Sequence, residues 1–227
     1  MADFSSPFYP YEKVQTGFST FRGAENIPLQ IVKYLMDLPD SDGYTPSDNN
    51  DRPRVRLMKY LWYDGVNPLG NALPTPVQKQ SMLFDGDNPV LDTTALQQKH
   101  PQGYRIYPQE FWGQTQTEAK TTLKCYIGRV VPVSPYSAYI GLHFEILVNV
   151  NQANTMRTTA YNKAYAIEQC ILEALNGVNI NGIGVVEFNR AGYVDCGSRY
   201  VSDEGTNVGR ELKLALLWAD NGEDRGV

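Results

Sequence analysis

The strongest pattern in the chain is an alternation of apolar and polar positions over residues 136–149. Leu142, Phe144, Ile146 and Val148 fall on one side of an extended strand, and His143, Glu145, Leu147 and Asn149 fall on the other. One apolar face and one partly polar face predict an antiparallel sheet that buries one side. Leu123, Cys125, Ile127 and Arg129 alternate in the same way, and Val130 and Val131 extend that strand to Pro132. Residues 183–188 predict another strand. Residues 210–219 predict the last, with Leu212, Leu214, Leu216 and Trp218 on one face and Glu211, Lys213, Ala215 and Leu217 on the other. Between these strands the period lengthens. Ala160, Ala164, Ile167, Ile171 and Leu175 recur at helical spacing, joined by Cys170 and Ala174. Asn154 or Thr155 is the expected cap, and Asn176-Gly177 the expected stop. A helix of this kind is expected to lie across the sheet.

The first half is less regular. Pro28 suits a first helical turn, and Leu29, Val32, Leu35 and Met36 follow on one stripe before Pro39 and Asp40-Ser41-Asp42-Gly43 end it. Val55, Leu57 and Tyr60-Leu61-Trp62-Tyr63 predict a strand closing at Asp64-Gly65. From about 66 to 115 the chain is rich in Pro, Gly, Asn, Asp and Gln. Pro68, Pro74, Pro76, Pro89, Pro101 and Pro108 limit regular elements there, so an insertion reaching outward is expected. Residues 189–207, with Gly192, Gly197 and Gly205, read as an irregular excursion. Residues 1–24 carry Phe4, Phe8, Tyr9, Tyr11, Phe18 and Phe21 among Pro7, Pro10, Gly17 and Gly23. These aromatics need burial without a regular helix. They suit an extended arm lying on a neighbouring subunit, or one folded back on its own domain. The expected organisation is an arm at 1–24, a single α+β domain at 25–220 and an acidic tail at 221–227. The expected fold is α+β, an antiparallel sheet with a long amphipathic helix packed on one face.

Composition narrows the function. In 227 residues, 42% are hydrophobic and 20% charged, which describes a globular chain able to bury a core without metal or disulfide. The formal net charge is −5 and no Lys/Arg cluster occurs, which argues against gripping nucleic acid through its phosphates. The 15 tyrosines suit either a β core or wet protein interfaces. Cys125, Cys170 and Cys196 are odd in number and widely spaced, so neither a disulfide framework nor a zinc site is expected. The N-terminus has no secretory pattern, and no apolar run of about 18 residues predicts a membrane helix.

Candidate chemistry is sparse. There is no phosphate-binding Gly-rich loop and no nucleophile elbow. Cys125 and His143 would form a nucleophile and base if their strands were adjacent; two unrelated strand residues is the simpler expectation. His100 precedes Pro101 in the irregular region. Asp85 and Asp87 flank Gly86, and Asp203-Glu204 precede Gly205; these are turn formers before they are cation ligands. No catalytic residue, metal or cofactor is expected. Trp62, Trp112 and the tyrosines leave a carbohydrate-binding or adhesion module open, and Cys125/His143 a small hydrolase.

The run Ala166-Ile167-Glu168-Gln169-Cys170-Ile171-Leu172-Glu173-Ala174-Leu175-Asn176-Gly177 leads into Ile183-Gly184-Val185-Val186-Glu187-Phe188. Arg190-Ala191-Gly192-Tyr193 follows, and Gly209-Arg210-Glu211-Leu212-Lys213-Leu214-Ala215-Leu216 closes the pattern. Over roughly 120–220 this order of elements resembles the tail-terminator and head–tail connector proteins of tailed bacteriophages, including podovirus-like and crAss-like neck proteins. The resemblance implies a structural virion protein that forms a six- or twelve-fold homo-oligomeric ring around the DNA channel. Its implied partners are further copies of itself and the portal, adjacent neck-ring or tail proteins. It brings no catalytic residues. It also suggests that the acidic loop residues Asp195, Asp203 and Glu204 face the channel or the next ring; an acidic outer surface kept for solubility is the alternative.

Overall fold

The computed structural model describes residues 24–40, 42–84, 98–110, 120–134, 137–150, 162–180, 183–189, 195–203 and 207–219. Three long strands form its centre: β2 (Thr121–Ser134), β3 (Ser137–Asn149) and β7 (Asn207–Ala219). All pair antiparallel, with Phe144 opposite Cys125 on β2 and Leu212 on β7. On β3 and β7 the alternation read from the sequence is the register observed; on β2 a bulge between Ile127 and Arg129 turns Arg129 away from the face of Leu123, Cys125 and Ile127, with which the sequence pattern aligns it. Leu142, Phe144, Ile146, Val148, Leu212, Leu214, Leu216 and Trp218 are all buried on one face. β1 (Ile106–Tyr107) pairs parallel to the start of β2. The far edge of β7 is shared end to end by β6 (Gly197–Asp203), opposite 207–213, and β5 (Gly184–Glu187), opposite 215–216; β4 (Val178–Ile180) pairs with β5. The fold is α+β, with a mostly antiparallel sheet.

Helices cover the buried face. In α1 (Ile27–Leu35), Ile27, Ile31 and Leu35 stack on one stripe, with Pro28 in the first turn. Its end is unusual: Asp37 is a non-glycine residue with φ 50. Three groups hold it there. Arg54 lies 2.9 Å from its carboxylate, Tyr44 Oη donates to it at 2.8 Å, and buried Lys79 donates to its carbonyl at 2.8 Å. The last helix, α4 (Lys163–Leu175), is capped by Asn162, whose Oδ1 accepts from the Tyr165 N–H at 2.8 Å. Gly177, with φ 76, ends it as expected. The described helix begins at Lys163; the expected cap at Asn154 or Thr155 lies outside the described residues.

Two expectations are corrected. Residues 53–62 are a helix, α2 (Pro53–Trp62), where a strand was predicted. Every residue from Leu57 to Trp62 is buried, because the helix is enclosed by α4 and the rest of the core. A helix buried all round loses its amphipathic period, and a short apolar run then reads equally well as a strand. Residues 197–203 are a strand, where an irregular excursion was predicted. Ser198, Arg199, Tyr200 and Ser202 are exposed, so β6 has no buried face to impose an alternation. Within the Pro-rich stretch, α3 (Pro76–Ser81) starts with a Thr75/Gln78 capping box, and Met82 and Ile106 join the main core. Among the described residues, no helix is long and apolar enough to cross a membrane.

Charge is buried where helices meet loops. Lys163, 1% exposed, donates to the Tyr63 carbonyl at 2.9 Å and lies 3.8 Å from Asp64. Burial lowers its pKa to about 8, with Asp64 opposing and Arg105 adding to the fall. The unfolded chain therefore binds more protons than the folded one between about pH 8 and the usual lysine value. Stability rises with pH across that window, by at most about 1.4 kcal/mol per pH unit. Lys163→Met is expected to remove this rise. The difference between the two proteins' urea-unfolding free energies at pH 8 and pH 10 measures it. It also cancels the like-signed contribution of Lys79, which burial lowers too.

Candidate functional site

Helices cover one face of the sheet; the strands' other face carries the candidate site. Register arranges its side chains in rows across the strands. One row runs Lys124, Glu145, Glu211, Arg199 over β2, β3, β7 and β6. Two carboxylates meet directly at its centre, and each takes a cation from its outer side: Lys124 at 2.8 Å from Glu145, and Arg199 paired with Glu211. Lys213 and His143 also reach Glu211, at 3.9 and 3.4 Å. The row is thus electrically closed on itself.

The next row holds Tyr126, His143 and Lys213. His143 lies over Gly128; a Cβ there would stand 2.2 Å from its Nε2, so only glycine leaves room for the ring. Burial and then Lys213 lower the His143 pKa, outweighing Glu211, and the imidazole is neutral near pH 7. Tyr126, 5.3 Å from it ring to ring, is pushed up to about 12, by burial first and Glu145 next.

Beyond these lies a row of small and charged residues, Arg129, Gly141, Ala215 and Glu187, and then an apolar one. In the apolar row Val131 pairs with Tyr139 and Tyr139 with Leu217. Val185, one residue from the Val186–Leu216 pair, continues it onto β5. Leu217 is 46% exposed and Val185 36%.

The sequence-derived candidates scatter. Cys125 does not meet His143: it faces the core on the opposite side of β2, and full burial holds its thiol far above the usual range. His100 is buried, with Nδ1 2.5 Å from the Ser81 carbonyl and its ring against Tyr104. Trp62 is buried in α2, away from any sugar. Asp195 is exposed just before β6, and Asp203 ends β6 opposite Asn207. Glu204, Asp85, Asp87, Trp112 and the arm aromatics Phe4, Phe8, Tyr9, Tyr11, Phe18 and Phe21 lie outside the described residues. Among the described residues, no group of three His, Cys, Asp or Glu side chains is placed to hold a metal ion. Sequence reading passed over the apolar row. Its signal was present in Leu217 and Val185, which are apolar on the polar phase of their strands.

Asn207 is fully buried, and among the described residues neither its Oδ1 nor its Nδ2 has a hydrogen-bond partner. An unpaired buried amide costs about 1–3 kcal/mol. Asn207→Leu, close in size and without polar atoms, is therefore expected to stabilise the chain by about 1–2 kcal/mol, read as a higher midpoint in urea unfolding.

An α+β chain with one helix-covered sheet face, and a second face carrying a closed ion-pair row beside exposed apolar side chains, is the class these features define. The model of the YomW family matches residues 55–213, and the chain belongs to that family. The family is phage-derived, so this is a phage protein. No curated protein and no solved structure matches the chain.

Proposed function

We propose that this chain is a non-enzymatic structural protein of the phage particle. In this reading it forms a homo-oligomeric ring in the neck or tail that joins the portal or head to the tail around the DNA channel. The family's phage origin supports the setting. One structural observation carries the role: the second sheet face keeps Leu217 and Val185 exposed in a continuous apolar row, which is surface suited to another protein. Over 120–220 the structure runs β2–β3–α4–β4–β5–β6–β7, so the strand–helix–strand order that suggested connector and terminator proteins is kept, with β4 and β6 added to it.

The partners in this reading are further copies of the chain, in six- or twelve-fold rings, with portal, neck-ring or tail proteins above and below. In this reading a net charge of −5 lets DNA pass without being held, and Asp195, which is exposed, faces the channel or the next ring. The arm aromatics supply additional contact area. Negative-stain images of the purified protein, alone and with portal and tail proteins, are expected to show rings. A chain that stays monomeric with every particle component, or is missing from purified particles by mass spectrometry, overturns the reading.

A further inference from the structure

Among the described residues the margins of the sheet are closed or blunted in every place but one. The outer side of β1 is taken by residues 82–84: the Ile106 N–H donates to the Met82 carbonyl at 3.0 Å, and the Phe84 N–H to the Ile106 carbonyl at 2.8 Å. Beyond β1, the edge of β2 is broken by register shifts at Ile127/Arg129 and Pro132/Ser134, and Pro132 has no N–H to give. β4 is only three residues long. β6 carries none of these protections. It runs for seven residues without a proline and pairs with β7 through an unbroken register. Among the described residues no strand pairs with its other side. Ser198, Arg199, Tyr200 and Ser202 are exposed, Tyr200 by 56%. Arg199, the charge that would ward off another strand, is already matched by Glu211 on β7. An edge of this kind is a ready template for one more strand.

We propose that β6 pairs antiparallel with β6 of a second copy of this chain, about a two-fold axis perpendicular to the sheet at Tyr200. The chain itself argues for this occupant. Every copy carries the same open edge, of the same length, and joining two of them closes both at once. Tyr200 is the fourth of the seven residues, so full overlap sets Tyr200 opposite the partner's Tyr200. Ser198 then stands opposite the partner's Ser202, and Arg199 opposite the partner's Val201. No like charges are directly opposed, and the centre is an aromatic pair, which is a favourable cross-strand arrangement. The axis keeps the helix-covered faces of the two sheets on one side, so the sheet runs on from β7 through both β6 strands to the β7 of the second copy. The seam is one strand pair wide. Interfaces below about 1,200 Å² in total are transient, so the dimer is expected to be concentration-dependent.

A two-fold contact closes on two copies and cannot lie within one cyclic ring, so it goes beyond the ring reading and joins a copy in one ring to a copy in another. The test is sedimentation equilibrium of the full chain over a concentration series. Wild type is expected to pass from the 25.5 kDa chain mass toward twice that value. Tyr200→Lys and Tyr200→Glu, at an exposed position, are each expected to weaken the association about tenfold with unchanged circular dichroism, because residue 200 faces its own equivalent and like charges then stand opposite. Mixed in equal amounts, the two variants are expected to associate more tightly than either alone, because ammonium then faces carboxylate. A wild type that stays at the chain mass overturns the proposal, as does a mixture no tighter than its components. A larger oligomer whose mass both substitutions leave unchanged overturns this edge while self-assembly through other surfaces stands. A larger oligomer that each substitution splits and the mixture restores supports it.

Discussion

Gly209→Ala is expected to lower the unfolding free energy by about 3 kcal/mol, the upper part of the range for overpacking a core. A Cβ at Gly209 would lie 1.9 Å from the Ile146 carbonyl oxygen and 3.1 Å from Leu147 Cδ2. The obstacle is backbone, and it has nowhere to go. β3 is held on its other side by β2 through a register that runs almost its whole length. Relief has to come from parting β3 and β7 near the Asn149–Asn207 end of their ladder, which costs ladder hydrogen bonds and packing together. Gly197→Ala is the control. It sits on β6, which pairs with the same strand, but a Cβ there meets nothing within 4 Å. It is expected to change stability by less than about 0.5 kcal/mol. Urea unfolding with an unchanged m-value measures both. Equal effects at the two positions would refute the argument.

Arg105→Met is expected to cost a similar amount. The Arg105 side chain is 2% exposed and spends every donor group internally. It forks onto Asp64 at 2.7 and 2.5 Å, donates to the Leu61 carbonyl at 2.8 Å, and its Nε reaches the Gln102 carbonyl at 3.3 Å. Methionine fills similar volume but strands the Leu61 carbonyl and, among the described residues, leaves Asp64 with only Lys163 at 3.8 Å. Breaking a buried pair from one side costs about 3–5 kcal/mol, and the partial exposure of Asp64 places this one near 3. Arg105→Lys is expected to recover less than half, because an ammonium cannot reproduce the planar fork. The same substitution carries a second signature. Arg105 is one of the charges that lower the Lys163 pKa, so Arg105→Met is expected to shift the alkaline rise in stability to higher pH.

These two sites differ in how legible they are. Gly209 stands in a strand whose alternation is plain in the sequence, yet its intolerance comes from a carbonyl 63 positions earlier in the chain. Arg105 and Lys163 fall in separate segments, and nothing in either names Asp64 as the group they share. The candidate face has the same character. The phase of β3 and β7 tells which residues leave the core, but only pairing sets Glu145 beside Glu211 and Leu217 beside Tyr139.

By itself the sequence determined the α+β class, the three long strands, the buried phases of β3 and β7, the first helix, and the stop at Asn176-Gly177; the bulge that turns Arg129 outward on β2 it did not. Each depends on local periodicity or local turn chemistry, which neighbouring residues fully specify. The tertiary structure alone decided that 53–62 is helical and 197–203 extended. The first is buried continuously from Leu57 to Trp62 and the second is largely exposed, and either condition erases the contrast on which periodicity depends. It alone decided too that Cys125 and His143 face opposite ways, and that Arg129 and Glu187 stand at the two ends of one row. Those relations run between strands, and register is fixed by the packing of the whole sheet against its helices.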